Sequence, residues 1–427
     1  MAAMDQKAFL TTLFQQAVHA VAPATLISKH LGQLVKPPVT GKTLVIGAGK
    51  AAAAMAHAVE KAWQGELSGL VVTRYGHGAP CQRIEVIEAA HPVPDSAGLA
   101  AAQRILSLVR GLRPEDLVLC LISGGGSSLL TLPAPGLTLE DKRAINLALL
   151  RSGAAIGEMN CVRRHLSAIK GGRLALACYP AQVITLLISD IPGDDPSIIA
   201  SGPTIPDHST AQDALKIMAK YQIPLADHVR TVLENEAAPC PTPDHPFLKN
   251  CRHHVIGTAQ IALEAAAAYA RSQGITPIIL GGSIEGEARD IASMHAAIAR
   301  QILTYGQPGT APCVLLSGGE TTVTLRGEGR GGRNAEFLLA LTQSLQGLKG
   351  VYSLAGDTDG IDGTEAVAAY LAGPNSLDRA KALGLDAKSM LNDNDGYSFF
   401  AALEDCLITG PTRTNVNDFR AILIEES

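Results

Sequence analysis

The chain has 427 residues, of which 47% are hydrophobic and 18% charged, and its formal net charge is −5. This length exceeds one ordinary hydrophobic core, so we expect a globular protein of two or three domains. The mildly acidic balance excludes the basic surface of a nucleic-acid-binding protein. The chain also lacks the run of about 18 apolar residues that a membrane span requires.

Alanine, leucine and glycine dominate, as in proteins whose helices pack on parallel strands. The eight cysteines form no Cys-x-x-Cys pair, which favours reduced thiols in a cytoplasmic protein. Residues 1–21 have the pattern of an amphipathic helix, without the basic start and long apolar run of a signal peptide.

The first glycine-rich turn follows a short apolar strand at residues 43–46. It contains Gly47, Gly49 and Lys50 and precedes an alanine-rich helix, which matches the first half of a dinucleotide-binding fingerprint. Lys50 inside the turn and the lack of an acidic strand end about 20 residues later argue against that use. Lys50 either faces a ligand or is a solvated lysine. The helix dipole does not stabilise a cation there, which favours a ligand.

A second glycine-rich turn follows the apolar strand at residues 117–122. Its N–H groups and hydroxyls suit an anion, although it lacks the Lys-Ser/Thr ending of a P-loop. The alternative is a mobile turn without a ligand. The residues expected to contact the anion are Ser123, Gly124, Gly125, Gly126 and Ser127.

Basic residues recur in a stretch, residues 138–176, that is predicted to be helical with glycine breaks. Lys170 and Arg173 flank a glycine pair there. Such residues either contact an anionic substrate or form a solvated face.

Carboxylates cluster after the apolar strand at residues 183–188. Asp190 lies nearest the strand end and suits a Mg²⁺ ligand or a general base. For Asp194 and Asp195, a role as ordinary turn or cap residues is as well supported as a role in the site. Further on, the small and hydroxyl residues expected near a ligand are Ser201, Gly202 and Thr204.

A proline-rich, polar segment at residues 234–254 is the best candidate for a linker or crossover. After it, a strand at residues 276–280 leads into residues 281–288, which we interpret as another glycine-rich turn.

The stretch of residues 313–336 is the richest in candidate ligands. We expect a strand, a turn at residues 317–319 carrying Glu320, a second strand at residues 321–325, and an arginine- and glycine-rich loop ending at Arg333. Asn334 then opens a helix, whose start favours anions. The alternative is a glycine-rich hairpin with solvated arginines.

The last strands add an acidic turn and a polar segment. A strand at residues 351–354 runs into Asp357 and Asp359, which form an acidic turn but not an EF-hand. Asn415 lies in a polar segment that is able to close a site before the final strand.

Open α/β sheets bind ligands beyond the carboxyl ends of their strands, and most of these candidates follow strands. Cations beside carboxylates suit phosphoryl transfer with Mg²⁺. The same inventory suits a dehydrogenase of a small hydroxy acid that binds NAD at the first turn. A binding or scaffold protein remains the third alternative.

Several long motifs resemble the type 2 glycerate kinase family, whose C-terminal part is the MOFRL domain. The resemblance extends from about residue 8 to 424. Some members of that family carry the name hydroxypyruvate reductase, which keeps the oxidoreductase alternative open. The motifs that carry the resemblance are GAGKAAAAMA, LISGGGSSLL, IKGGRLA, SDIPGDDPSIIASGPT, LSGGETTVTLRGEGRGGRNAEF, AGDTDGIDG, DGYSFF and TGPTRTNVNDF.

The resemblance implies ATP- and Mg²⁺-dependent phosphorylation of D-glycerate at its 2-hydroxyl, giving 2-phosphoglycerate, although related acids such as tartronate are not excluded. It implies a Rossmann-like N-terminal domain with a largely parallel sheet, a smaller C-terminal α/β domain with a mixed sheet, and an active site in the cleft between them. We expect domains at residues 1–240 and 250–427, the latter containing the MOFRL domain at about residues 312–420. Whether the chain forms a homodimer is left open.

The resemblance also assigns the family's active-site lysine to Lys50 and its active-site arginine to Arg333. We therefore expect these two residues to bind glycerate or to stabilise the transferring phosphoryl group. Asp190 is the expected base or metal ligand, with Glu320 and Asp357 as further metal ligands.

Overall fold

The computed structural model describes residues 4–37, 40–235 and 239–426. As far as residue 257, it contains two 3₁₀ turns (Ile199–Ser201 and Pro246–Asn250) and, in chain order, α1 (Gln6–Ala20), α2 (Pro23–Leu34), β1 (Thr43–Ala48), α3 (Ala52–Ala62), β2 (Leu67–Arg74), β3 (Ile84–Ala89), α4 (Ser96–Leu108), β4 (Leu117–Ile122), α5 (Gly126–Leu129), α6 (Leu139–Ser152), α7 (Ile156–His165), α8 (Arg173–Cys178), β5 (Gln182–Ile188), α9 (Ala211–Lys220), α10 (Asp227–Asn235) and β6 (Cys251–Gly257).

The remainder of the chain alternates helices with six further strands. These elements are α11 (Ala259–Ser272), β7 (Thr276–Glu287), α12 (Ala288–Tyr305), β8 (Cys313–Thr322), α13 (Arg333–Leu345), β9 (Val351–Asp357), β10 (Ala369–Ala372), α14 (Ser376–Ala382), α15 (Ala387–Asn392), α16 (Gly396–Ala402), β11 (Cys406–Leu407) and β12 (Asp418–Ile424).

The described residues divide into two compact units, which we call the Rossmann unit and the mixed-sheet unit. The Rossmann unit comprises Leu26–Ser189 and Asp194–Ile256. The mixed-sheet unit comprises Met1–Thr25, Asp190–Gly193 and Gly257–Ser427. The domain bounds and the inter-domain cleft expected from the sequence stay predictions.

The Rossmann unit contains a six-stranded sheet with the order β3-β2-β1-β4-β5-β6. The pairs β2–β3, β1–β2, β1–β4 and β4–β5 are all parallel. Every residue of β1 and β4 is buried, as expected for a parallel sheet with helices on both faces. This strand order is that of a Rossmann fold, which confirms the predicted fold of this part.

The mixed-sheet unit contains a second six-stranded sheet, ordered β11-β10-β9-β12-β8-β7. Only β7 and β8 pair in parallel among these neighbours; β12 runs antiparallel to both β8 and β9. Alternate residues of β12 face opposite sides of the sheet: Phe419 contacts Phe14 of α1, whereas Arg420 lies over the ring of Phe337 in α13. The predicted mixed sheet is confirmed.

Two predicted turns of this unit are wrong. Residues 317–319 lie inside the continuous strand β8, and residues 281–287 of the turn predicted at 281–288 lie inside β7. Their glycines permit close approach of backbones, because a Cβ on Gly319 would lie 2.2 Å from the carbonyl oxygen of Ile284. The β7–β8 pairing absorbs the irregularity through two register shifts near Gly281.

All eight cysteines are free of disulfides, as predicted. Within the described ranges, no helix is both long enough and apolar enough to cross a membrane.

Candidate functional site

The two glycine-rich turns of the Rossmann unit follow neighbouring strands. β1 and β4 are paired from Thr43↔Leu117 to Ala48↔Ile122, so they end level with each other. Strand order reverses between them, since β2 and β3 lie beyond β1 whereas β5 and β6 lie beyond β4. Such a switch point opens a crevice at the carboxyl ends of the strands, where ligands bind.

The first turn uses its own N–H groups inside the protein. The N–H of Gly49 donates to Val72 O (3.1 Å), that of Lys50 to Gly124 O (2.8 Å) and that of Ala51 to Ser123 Oγ (3.0 Å). In a dinucleotide-binding fold, the amides of this turn face the pyrophosphate. Here they bond instead to β2 and to the second turn, in which the accepting residue Ser123 is fully buried.

The second turn, by contrast, has unused N–H groups. Within residues 4–37, 40–235 and 239–426, no acceptor contacts the N–H of Gly124 or Gly125. Gly125 has φ +80°, and a Cβ at this position would lie 3.0 Å from the ring of His91 and 3.3 Å from Cγ of Lys50. The half-buried Lys50 side chain therefore lies against the turn that has unused N–H groups, which is a geometry suited to an anion.

A strained segment supports the second turn. Ala200, Ser201 and Gly202 all have positive φ, at 52°, 60° and 57°. Oγ of Ser201 lies 2.8 Å from Oγ of Ser127 and donates to Oδ1 of Asn160 (3.0 Å). Non-glycine residues in this conformation cost of order 1–3 kcal/mol each and cluster at functional sites.

Three other predicted contact residues of this unit are buried supports. Lys170, 1% exposed, donates to Ala200 O at 3.3 Å, and burial holds its pKa well below the usual value. Arg173 donates to Arg164 O (3.0 Å) and Cys240 Sγ (2.8 Å). Thr204 Oγ1 lies 2.8 Å from the hydroxyl of Thr185. Their direct contact with substrate stays a prediction.

Arg333 is the centre of an acidic cluster in the mixed-sheet unit. Its Nε donates to Asp418 (2.6 Å), Nη1 to Glu320 (2.8 Å) and Nη2 to Asp357 (2.9 Å). Burial alone would lower the pKa of Arg333, but these three carboxylates raise it well above the usual value. The Arg333 guanidinium thus donates to all three carboxylates, and their combined negative charge exceeds its single positive charge.

The topology of the second sheet assembles this cluster. Glu320 lies near the carboxyl end of β8 and Asp357 ends β9, whereas Asp418 begins the antiparallel β12 between them and pairs with Gly319 and Asp357. Asp418 is 2% exposed and also accepts from Arg420. Burial would raise the pKa of Asp418, but Arg333 and Arg420 hold it below the usual value.

The start of α13 is occupied by a side chain of the protein itself. The fully buried carboxylate of Asp362 accepts from the N–H groups of Gly332, Asn334 and Ala335, each at 3.0 Å. Burial raises the pKa of Asp362. Because Asp362 takes these donors, the expectation that this helix start binds a ligand anion is not supported.

Asn334 is likewise an internal residue. It is 0% exposed, and its amide donates to Asp418 (2.9 Å) and Asp362 (3.3 Å). Its assignment as a contact residue stays a prediction, while its visible role is to join two buried carboxylates.

Asp190 belongs to the same unit, together with two asparagines. Asn415 donates to Oδ2 of Asp190 at 3.2 Å, and Asn417 donates to its backbone oxygen and, at 3.5 Å, to Glu320. The buried Asp359 forms a turn: its N–H donates to Asp357 (3.0 Å) and its Oδ1 accepts from Ile361 (2.9 Å). The structure thus joins Asp190, Glu320 and Asp357 through Asn417 and Arg333.

Sequence reasoning included Asp362 in the acidic turn and Asn417 and Asp418 in the polar segment, but it singled out none of the three as a site residue. Asn417 immediately precedes β12, and Asp418 is the first residue of that strand. Because β12 runs antiparallel between β8 and β9, its beginning lies next to the ends of those two strands. A search for polar residues that follow strands therefore misses polar residues at the beginning of one.

Known proteins resemble both units. Residues 9–234 match the domain of unknown function DUF4147, and residues 313–418 match the MOFRL family. A D-glycerate 2-kinase of Thermotoga maritima is 39% identical, with 95% of each chain covered. A protein of Agrobacterium vitis that is provisionally named a hydroxypyruvate reductase is 53% identical, covering 90% of this chain and 100% of that protein.

The fold has a solved counterpart as well. The crystal structure of a glycerate kinase from Thermotoga maritima superposes with a TM-score of 0.90 at 38% identity, covering 98% of this chain and 99% of that one. Matches of this length and identity in both units leave one conclusion: the chain belongs to the glycerate kinase family that contains a MOFRL domain.

Proposed function

We propose that the protein is a glycerate 2-kinase, which transfers the γ-phosphoryl group of ATP to the 2-hydroxyl of D-glycerate and releases ADP and 2-phosphoglycerate. The observation that carries the proposal is the pair of turns at the switch point. Lys50 and the unused N–H groups of the second turn supply donors for an anion, whereas the first turn has none to spare for a pyrophosphate. Relatives named glycerate 2-kinase support the same reaction.

In this proposal the Rossmann unit binds an anionic group, phosphate or carboxylate. Enzymes catalyse phosphoryl transfer mainly by positioning the reactants and stabilising the negative charge of the transferring group. In the proposed role, that charge is stabilised by the N–H groups of Gly124 and Gly125 and by the ammonium group of Lys50. Ser127, held by Ser201, adds a hydroxyl beside them. Gly47 and Gly49 shape the first turn, since a Cβ on either would lie 2.2 Å from an atom of β4 or Ser123.

The acidic cluster supplies the second half of the chemistry. Glu320, Asp357 and Asp190 offer only oxygen donors and carry more negative charge than Arg333 balances, a donor set that fits Mg²⁺. When bound, Mg²⁺ neutralises phosphate charge. Arg333 positions Glu320 and Asp357, and Asp190 either completes the metal set or accepts the proton of the substrate hydroxyl.

A second candidate, an NAD(P)H-dependent hydroxypyruvate reductase, has two observations in its favour. Relatives at 51–53% identity carry that name provisionally, and the strand order is that of dinucleotide-binding folds. Against it, the amides expected to bind the pyrophosphate are bonded to Val72, Ser123 and Gly124.

One experiment separates the two candidates. Purified protein is incubated with D-glycerate, ATP and Mg²⁺, and ADP release is followed through a coupled assay; a parallel cuvette contains hydroxypyruvate with NADH or NADPH. We expect ADP release and a product that enolase consumes directly. Oxidation of the reduced nucleotide without ADP release would overturn the kinase proposal and assign Gly47 to Lys50 to a dinucleotide.

A further inference from the structure

A cluster of three potential metal ligands lies along one face of α3, apart from the residues described above. His57 and Glu60 are three residues apart and therefore share one face of this helix. The loop between β2 and β3 brings Cys81 to that face. A ring nitrogen of His57, a carboxylate oxygen of Glu60 and Sγ of Cys81 all lie within 4.8 Å of one another.

The backbone around Cys81 holds the Glu60 carboxylate in place. The N–H of Gln82 donates to its Oε2 at 2.8 Å, and the N–H of Arg83 donates to Oε1. The guanidinium of Arg83 donates mainly to backbone oxygens, those of Gly65 (3.0 Å) and Glu60, and stays 3.8 Å from the carboxylate. The carboxylate is thus oriented without being neutralised by a close ion pair.

The hydrogen bonding of His57 gives independent support for a ligand at this cluster. Its Nδ1 is buried and has no hydrogen-bond partner in the part of the chain that the structure describes. Leaving a buried polar atom unpaired costs about 1–3 kcal/mol, so each such atom in a folded protein needs an explanation. A metal ion bound at Nδ1 itself would provide one.

We propose that His57, Glu60 and Cys81 bind one Zn²⁺ ion, with water as the fourth ligand. Imidazole, carboxylate and thiolate donors together match the borderline-soft character of Zn²⁺ and its tetrahedral sites. Ligand bonds of about 2.0–2.3 Å require the three side chains to close around the ion by rotation. The bound ion would tie the loop before β3 to α3, the helix that begins just after Lys50.

A second cluster of the same residue types lacks this capacity. His165, Asp207 and Cys240 also lie within 4.8 Å of one another. However, Arg164 donates to Asp207 at 2.8 Å and Arg173 donates to Cys240 at 2.8 Å. Two guanidinium groups in direct contact with the ligand atoms repel a cation, whereas the guanidinium of Arg83 stays 3.8 Å from the carboxylate of Glu60 in the first cluster.

The test measures metal binding by the full chain after removal of metal with a chelator. The wild-type protein is dialysed against Zn²⁺ and its metal content is determined by mass spectrometry. Separately, Co²⁺ is added as a spectroscopic probe. We expect one Zn²⁺ per chain, a thiolate-to-cobalt charge-transfer band, and a higher Tm with Zn²⁺ than without.

Three variants and one control assign the site. His57→Gln, Glu60→Gln and Cys81→Ser should each weaken Zn²⁺ binding at least tenfold, the range over which even outer ligand partners matter, and Cys81→Ser should abolish the charge-transfer band. Cys251→Ser, which removes another partly buried thiol, should leave stoichiometry and band unchanged. Absence of bound Zn²⁺ in the wild type, or a charge-transfer band that persists in Cys81→Ser, would overturn the proposal. Because no readout is catalytic, the outcome is independent of the kinase proposal.

Discussion

The two candidate regions have opposite electrostatic character. The second glycine turn of the Rossmann unit presents N–H groups beside Lys50 and contains no carboxylate among its own residues. The Arg333 region of the mixed-sheet unit instead gathers three carboxylates on one guanidinium. The first region depends on backbone conformation and hence on glycine, while the second depends on charge balance among side chains. This difference predicts that mutations in the two regions fail in different ways.

The largest expected effect is on stability and comes from Arg333→Ala. Removing one partner of a buried ion pair costs about 3–5 kcal/mol, and here Glu320 and Asp357 lose Arg333 while Asp418 keeps Arg420. Urea denaturation measures the loss, and Arg330→Ala is the matched control, because Arg330 lies more exposed, with Glu365 as its carboxylate partner and the Tyr397 ring beside it. If the cluster binds Mg²⁺, added Mg²⁺ should restore more stability to Arg333→Ala than to the wild type. Equal Mg²⁺ effects on the two proteins would argue against a metal site there.

The next effect is on turnover and comes from Lys50→Ala. If Lys50 stabilises charge in the transition state, kcat should fall on the order of 100-fold or more, with a small change in the urea midpoint. Lys61→Ala, which removes an exposed lysine in the last turn of α3, the helix that follows Lys50, should retain full activity. Wild-type turnover in Lys50→Ala would remove Lys50 from the mechanism.

A third test concerns Lys142, a buried cation of the Rossmann unit that donates to Leu166 O at 3.1 Å. Burial lowers its pKa to about 7. The unfolded chain therefore binds more protons than the folded one between about pH 7 and the ordinary lysine pKa, so this residue's contribution to stability rises with pH across that window and is lost as pH falls through 7.

Lys142→Met should accordingly stabilise the protein relative to the wild type at pH 6, by on the order of 2 kcal/mol, and the advantage should shrink toward pH 9. Urea denaturation of both proteins at the two pH values checks this. The exposed Lys61→Met variant should give the same difference from wild type at both. A pH-independent effect of Lys142→Met would contradict the lowered pKa.

The smallest stability effect distinguishes backbone strain from site geometry. Gly125→Ala and Gly153→Ala both place alanine at positive φ, 80° and 72°, and each should cost about 1–2 kcal/mol. A Cβ at residue 153 meets no atom within 4 Å, whereas one at residue 125 meets His91 and Lys50. Only Gly125→Ala should therefore lose activity. Equal activity in the two variants would separate the second turn from catalysis.

The sequence by itself determined the parallel sheet and the identity of its important turns. Apolar runs of four to six residues, at 43–46, 117–122 and 183–188, predict buried strands, and β1, β4 and β5 contain these residues. Lys50 was recognisable because a lysine gains nothing from the start of a helix. Local patterns suffice here because each feature is decided within a few residues.

Only the tertiary structure decided how the donors are used. Whether Gly318 and Gly319 form a turn or continue a strand depends on what packs against them, and Ile284 of β7 packs against Gly319. The start of α13 looked like an anion site until Asp362, distant in sequence, was found to occupy it. Arg333 acquires three carboxylate partners only because β12 inserts antiparallel between β8 and β9. Hydrogen bonds between residues far apart in sequence leave no local pattern, so they require the fold.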